Sequence, residues 1–350
     1  MSDPLRLALI GVGAMGNAQL AAFADCDDVL VVACADPDEH ALARARTEHG
    51  IESCYTDWRD LLEREAVDAV SVCTPNAQHP EPTIAALRRG LHVLVEKPMA
   101  RRTAEALDMA HAAREAGVHL VVGFQYRFDP RTEAIRRQIE AGVLGRILYV
   151  RCQALRRRGL PNRPGGLSRD LSGGGPLIDI GVHVLELAHW LMGSPRPVAA
   201  SAATYTTHGD RPMQALCKWP HWDWRTCTVE DLAVGQVRFN DGATLAIETS
   251  YASHLAEDVW NVELFGSAGG ATWDTATIHR DANGTMWNEV CAHPGERAVF
   301  AHKLRHFIDV CRGRCANHAP PEHGVLIQAM IEGLYRSASL GHEVRLDGVN

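Results

Sequence analysis

What the chain lacks narrows the field first. No apolar run approaches the ~20 residues that a membrane-spanning helix needs, and aromatic residues make up only 6% of the sequence. Positive charge is in deficit: 35 Lys plus Arg stand against 43 Asp plus Glu, a formal net charge of −8. That argues against the basic face of a nucleic-acid binder, and the triplet Arg156–Arg158 is too short to supply one. Ten cysteines occur without paired short spacings, so neither a disulfide framework nor a zinc ribbon is indicated. The N-terminal MSDPLRLALIGVG has no charged region ahead of its apolar run and no small-residue cleavage site after it. We therefore expect a cytoplasmic protein with free thiols, no signal peptide and no membrane association. No internal repeat or low-complexity tract is visible.

What is there suits two ordinary globular cores: 350 residues, 46% hydrophobic and 22% charged. In the first third, short apolar runs alternate with helical patterns. LRLALI (5–10), VLVVACA (29–35), DAVSVC (68–73), HVLVE (92–96) and HLVVG (119–123) read as strands apolar on both faces. Segments such as DEHALARARTEHG and TAEALDMAHAAREAG lie between them and end in glycine, as helices often do. This alternation predicts a parallel sheet covered by helices on both sides. After Phe124 the pattern changes. One helix (129–141) precedes long strands near 146–158, 198–208, 231–240, 243–253 and 258–266, with turn signals at Asn240-Asp241-Gly242 and Ser267–Gly270. Two helices close the chain, near 297–312 and 323–340. We read this as an α+β domain with a large, mostly antiparallel open sheet, and divide the chain at 1–124 and 125–350.

Gly11-Val12-Gly13-Ala14-Met15-Gly16 fits the G-x-G-x-x-G dinucleotide fingerprint in its proper setting, after a strand and opening a helix. Gly11 allows the tight turn, Gly13 the approach of a pyrophosphate to backbone N–H groups, and Gly16 close helix packing. Asp36, at the end of the second apolar run, is placed to accept from the ribose hydroxyls. It would repel a 2′-phosphate, which favours NAD; Arg44 and Arg46 lie one helix on and leave room for NADP.

A second stretch, GGGPLIDIGVHVLELAHW (173–190), reads as a buried helix that keeps Asp179, His183 and Glu186. At about 100° per residue the three fall on one edge. Three ligands on one helix surround an ion poorly, so no metal site is expected. The glycine run suggests close approach of chain to a ligand.

Cys73-Thr74-Pro75-Asn76 with His79, Glu96-Lys97-Pro98 and Asp179-x-Gly181-x-His183, taken with the glycine fingerprint, resemble the Gfo/Idh/MocA oxidoreductases, the family of glucose–fructose oxidoreductase and inositol dehydrogenase. The likeness runs to the closing segment PEHGVLIQAMIEGLYRSASLGHEVRL. It implies an N-terminal Rossmann domain, a C-terminal open-sheet domain, and hydride transfer between a sugar or polyol carbon and NAD(P). It implies cofactor contacts from Gly11, Gly13, Ala14, Met15, Gly16, Asp36, Thr74, Pro75, Asn76, His79, Glu96 and Lys97. Lys97, Asp179 and His183 would be the catalytic group, also touching substrate. The family's N-R-R after the last Rossmann strand is Gln125-Tyr126-Arg127 here, so only Arg127 carries over, as an expected substrate contact, and Tyr126 could alter the pocket.

The residue types suit that chemistry. A base titrating near neutrality takes the hydroxyl proton as hydride leaves, which fits His183. A cation beside the oxygen offsets its developing charge, which fits Lys97. For the substrate we expect a carbohydrate. Arg156 and Arg158 share a strand face and could meet an acidic group; the Trp219–Trp224 stretch is rich in indoles, and Trp222 could stack on a sugar. An alternative on the same scaffold is a glycoside-cleaving enzyme that keeps NAD bound, oxidising, eliminating and re-reducing. The outer sheet face is expected to be apolar enough to pair subunits into a homodimer or homotetramer.

Overall fold

The computed structural model describes residues 3–162, 165–213, 221–293 and 299–346. Trp219 lies outside them. Two compact units emerge. One is Met1–Gln125 with Ala298–Val325; the other is Tyr126–Arg297 with Leu326–Asn350.

The first unit alternates β1 (Leu5–Ile10), α1 (Ala14–Ala24), β2 (Val29–Ala35), α2 (Glu39–His49), β3 (Ser53–Tyr55), α3 (Trp58–Arg64), β4 (Ala69–Val72), α4 (Pro80–Arg88), β5 (His92–Val95), α5 (Thr103–Ala116) and β6 (Leu120–Val122). The six strands form one parallel sheet in the order β3-β2-β1-β4-β5-β6. Order reverses beside β1, so the crevice at the carboxyl ends of β1 and β4 is where this topology binds ligands. The apolar runs become strands because both faces are covered; Leu7, Ala8 and Leu9 are wholly buried. Local chemistry sets the helix ends. Asp38 caps α2 by accepting from His40 N–H at 2.9 Å, and Gly50 ends it in the left-handed region. The three half-buried residues of β3 and the short helix α3 showed no period in the sequence.

The second unit holds α6 (Pro130–Glu140), β7 (Ile147–Leu155), α7 (Arg169–Ser172), α8 (Pro176–Asp179), α9 (Gly181–Leu191), β8 (Pro197–Tyr205), β9 (Leu232–Phe239), β10 (Thr244–Ser250), β11 (Val259–Gly266), β12 (Gly269–Thr272), β13 (Thr277–Ala282) and β14 (Thr285–Val290). The last helices are α10 (Val299–Cys311) and α11 (Pro321–Leu340), and β15 (Val344–Arg345) completes the sheet. Its order is β14-β13-β12-β11-β7-β10-β9-β8-β15, antiparallel except for the parallel pair β7–β10. Helix α9 packs on β7, β10 and β11, covering Val150, Cys152, Leu245, Ile247, Val262 and Leu264.

Two expectations change here. Helix α10 groups with the first unit, not with the residues that precede it. Its buried Leu304, Phe307 and Ile308 show an apolar stripe, but a stripe does not say which core it covers. Arg305 ties it to Asp28 through two contacts of 2.7 Å. The sheet face opposite α9 is also less apolar than expected. Arg151 donates to Glu248 at 2.7 Å, and Gln153 to the same carboxylate at 3.2 Å. Tyr149 and Phe265 lie beside this polar ladder, ring centroids 5.3 Å apart.

Candidate active site

The glycine turn is built as its spacing demands. Gly11 has φ +90°, and a Cβ there would meet the Cys73 carbonyl carbon at 2.8 Å; one on Gly16 would lie 2.0 Å from Gly11 O. At Gly13 a Cβ would meet nothing within 4 Å, so space is open at the start of α1. No side chain caps that helix and no carboxylate sits in its first turn. Its N–H groups therefore suit a diphosphate. Ala14 and Met15 are exposed beside them. The Thr74 hydroxyl, just past β4, is buried without a hydrogen-bond partner among the described residues. These features fit a dinucleotide.

Asp36 does more than face that space. Its Oδ2 accepts Val12 N–H at 2.8 Å and its Oδ1 accepts Asp38 N–H at 2.9 Å. Each carboxylate oxygen keeps a second lone pair for a ribose hydroxyl. Arg44 donates to Val12 O at 3.0 Å, so it too braces the glycine turn.

His79 and Glu96 point inward, which corrects their reading as cofactor contacts. His79 is 1% exposed. Its Nε2 lies 2.9 Å from Thr74 O and its Nδ1 2.8 Å from Pro98 O. The imidazole thus fastens the turn after β4 to the turn after β5. Burial pushes its pKa below the ordinary histidine range, against the pull of these carbonyls. Glu96 accepts from Gln19 at 2.8 Å and pairs with Lys303. Lys97 follows it, half-buried at the strand end.

In the second unit the stretch 173–190 is not one helix. Asp179 ends α8, Ile180 follows at φ −106° within the right-handed helical region but outside both helices, and α9 starts at Gly181. The hydroxyl of the wholly buried Tyr251 donates to Asp179 Oδ2 at 2.7 Å. His183 is half-buried among rings. Tyr126 meets it edge-on at 5.3 Å and Trp260 lies tilted at 5.9 Å. The sequence alone pointed to Tyr126 as a residue that could alter the pocket, but not to Trp260. Tyr126 was visible as the departure from N-R-R; Trp260 opens an alternating strand, with no local sign of its neighbour.

Glu186 and Arg127 share one fate. Arg127 Nε donates to Glu186 Oε2 at 2.8 Å, and both side chains are 1% exposed. Burial pushes the Glu186 carboxyl upward, and the Arg127 charge only partly offsets it. Arg127 is thus a buried strut, not the substrate contact expected. The glycine run also answers to packing. A Cβ on Gly174 would lie 2.1 Å from Tyr335 Oη, and one on Gly175 2.0 Å from Glu230 O. Glu230 caps α8, accepting Gly175 N–H at 3.0 Å and the Tyr335 hydroxyl at 2.7 Å. The run therefore seats the helix that ends in Asp179.

The other substrate candidates are tied to loops. Strand β7 stops at Leu155, short of the arginine triplet. Arg158 donates to Ser253 O at 2.7 Å and lies 3.2 Å from His254 Nε2. Arg156 donates to Gly159 O at 2.9 Å. Trp222 donates to Gly209 O at 2.9 Å. Among the described residues no helix is long and apolar enough to cross a membrane.

A doubly wound parallel domain with an open glycine turn, and a mixed-sheet domain whose successive helices α8 and α9 carry Asp179 and His183, define a two-domain nicotinamide-dependent oxidoreductase. The chain belongs to the Gfo/Idh/MocA family: residues 5–124 match its "Oxidoreductase family, NAD-binding Rossmann fold" model and residues 132–272 its C-terminal domain. It is 34% identical over 348 residues to the D-glucoside 3-dehydrogenase of Escherichia coli, covering 99% of this chain and 98% of that one. It is 30% identical over 283 residues to the levoglucosan dehydrogenase of Pseudarthrobacter phenanthrenivorans, covering 76% and 72%. Among solved structures it resembles GenD2 from gentamicin A biosynthesis in complex with NAD, with a TM-score of 0.81, 28% identity and coverage of 99% and 98%.

Proposed function

We propose that the protein oxidises a ring hydroxyl carbon of a pyranoside, with NAD as hydride acceptor. The observation that carries this reading is the end-to-end likeness to a D-glucoside 3-dehydrogenase, in a chain whose half-buried His183 stands beside two aromatic rings. Net chemistry is alcohol plus NAD⁺ to ketone, NADH and a proton. When bound, the nicotinamide supplies the hydride acceptor.

The chain's own groups divide the rest. His183 takes the hydroxyl proton as the C–H bond breaks. Lys97 offsets charge on the oxygen. Asp179, steadied by Tyr251, accepts from a neighbouring hydroxyl of the sugar. Tyr126 and Trp260 present apolar faces to the sugar's C–H bonds. Gly13, Ala14, Asp36 and Thr74 hold the dinucleotide, while His79 and Glu96 brace the turns that do so. The sheet face opposite α9 pairs subunits into a homo-oligomer, in which Tyr149 and Phe265 supply the apolar part of an otherwise polar contact.

The test is NADH formation from a panel of methyl pyranosides, free sugars and polyols by the purified protein. Lys97→Ala and His183→Ala are expected to lose turnover by about two orders of magnitude or more, while keeping the wild-type melting curve. Wild-type turnover in either variant sinks the assigned roles.

A further inference from the structure

Lysine is scarce in this chain. Of the 35 Lys plus Arg residues only Lys97, Lys218 and Lys303 are lysine. Arginine is elsewhere the default cation, and it is also the usual choice for buried ion pairs. Yet the fully buried cation on α10 is Lys303, at 0% exposure, and its ammonium pairs with Glu96, the residue before Lys97.

That carboxylate is a junction. Glu96 Oε1 also accepts from Gln19 of α1 at 2.8 Å, and Gln19 accepts from Ser71 of β4 at 2.5 Å. Gly123 leaves space for it, since a Cβ there would lie 2.9 Å from Glu96 Oε2. The strand before Thr74, the helix after the glycine turn and the turn before Lys97 are therefore linked in series through Gln19 and Glu96. A buried carboxylate of this kind is costly without its cation.

We propose that Lys303 is a positioning residue: its ammonium holds Glu96 turned inward, and Glu96 in turn fixes the cofactor-facing turns, including the one that carries Lys97. The catalytic weight of Lys97 rests on the function proposed above; the effect on dinucleotide binding does not. The titratable and charged groups around Glu96 are Lys303, Lys97, His79 and Cys73. Burial alone would raise the Glu96 carboxyl; the Lys303 charge and hydrogen bond lead the forces that instead bring it below the ordinary range.

The experiment is NADH affinity by fluorescence titration at about pH 8 and about pH 5.5, on folded protein well below its melting temperature. Lys303→Met is expected to weaken NADH binding about tenfold at the higher pH, a cost of about 1.4 kcal/mol. The loss should shrink to about threefold or less at the lower pH, where an unpaired Glu96 takes up a proton. Glu96→Gln with Lys303→Met, which removes both charges, should recover most of the affinity at both pH values. Lys303→Arg keeps the cation and guards against a folding defect; it should stay within about threefold of wild type. The proposal is overturned if Lys303→Met lowers only the melting temperature, if its loss is equal at both pH values, if the double variant binds no better, or if Lys303→Arg loses about tenfold. Wild-type protein that binds NADH but oxidises no sugar defeats the proposed reaction and leaves this test standing.

Discussion

Arg127→Met should destabilise the second unit in a pH-dependent way. Arg127 and Glu186 are each 1% exposed and bonded at 2.8 Å. Methionine keeps the volume and removes the charge, leaving a buried carboxylate without its cation. A buried ion that has lost its partner costs about 3–5 kcal/mol, but the carboxylate can escape by protonation. Taking up that proton costs about 1.4 kcal/mol for each pH unit above the ordinary glutamate value of about 4.3. At pH 7 this limits the loss to about 3–4 kcal/mol, and at pH 5.5 to about 1.5–2 kcal/mol. The second unit has about 200 residues, and unfolding entropy is about 2.1 cal/mol/K per residue. The expected drop in melting temperature is thus about 8 °C at pH 7 and about 4 °C at pH 5.5. The sign follows from direction. Burial already raises Glu186, and loss of Arg127 raises it further, so the folded variant binds the proton more tightly than the unfolded chain. Its stability relative to wild type must therefore recover as pH falls. Calorimetry at the two pH values decides the matter. A variant within about 2 °C of wild type at pH 7, or a deficit that does not shrink at pH 5.5, refutes the reasoning.

Asp36→Ala should both relax the preference for NAD over NADP and weaken NADH binding, because the Asp36 carboxylate is the proposed ribose contact and also accepts the Val12 N–H; unchanged selectivity by fluorescence titration would contradict the ribose role. Trp260→Ala should lower kcat/KM for methyl pyranosides about 2- to 10-fold, the worth of one aromatic contact of about 0.5–1.5 kcal/mol, and should leave NADH affinity unchanged. An equal loss on open-chain polyols would show that the ring does not read the pyranose.

Much of the first unit was legible in the sequence, because its signals are local. The runs LRLALI and VLVVACA can be buried on both faces only in a helix-covered sheet, and the glycines answer to turn geometry within a few residues of themselves. The E-K-P and D-x-G-x-H motifs marked Lys97, Asp179 and His183. Periodicity misled where a neighbour far along the chain decides. It put Asp179, His183 and Glu186 on one edge, but the helix breaks at Ile180 and Glu186 turns to Arg127, 59 residues away. The glycine run suggested a ligand, and its tight neighbours are instead Tyr335 and Glu230. Arg158 and Trp222 had suitable chemistry, and nothing in their spacing showed that each would also donate to a carbonyl, Ser253 O and Gly209 O.

The division has a physical basis. By itself the amino-acid sequence determined most of the backbone segments that form strands and helices in the first unit, and where the glycine turn lies. Each of those depends on steric or hydrogen-bond preferences within one turn or one strand. Tertiary structure decided the partners. Tyr251 comes to Asp179 across 72 residues, and Lys303 to Glu96 across 207. Packing also chose that α10 should close the first core. A pattern of apolar positions says that a face must be covered; only the folded chain selects what covers it.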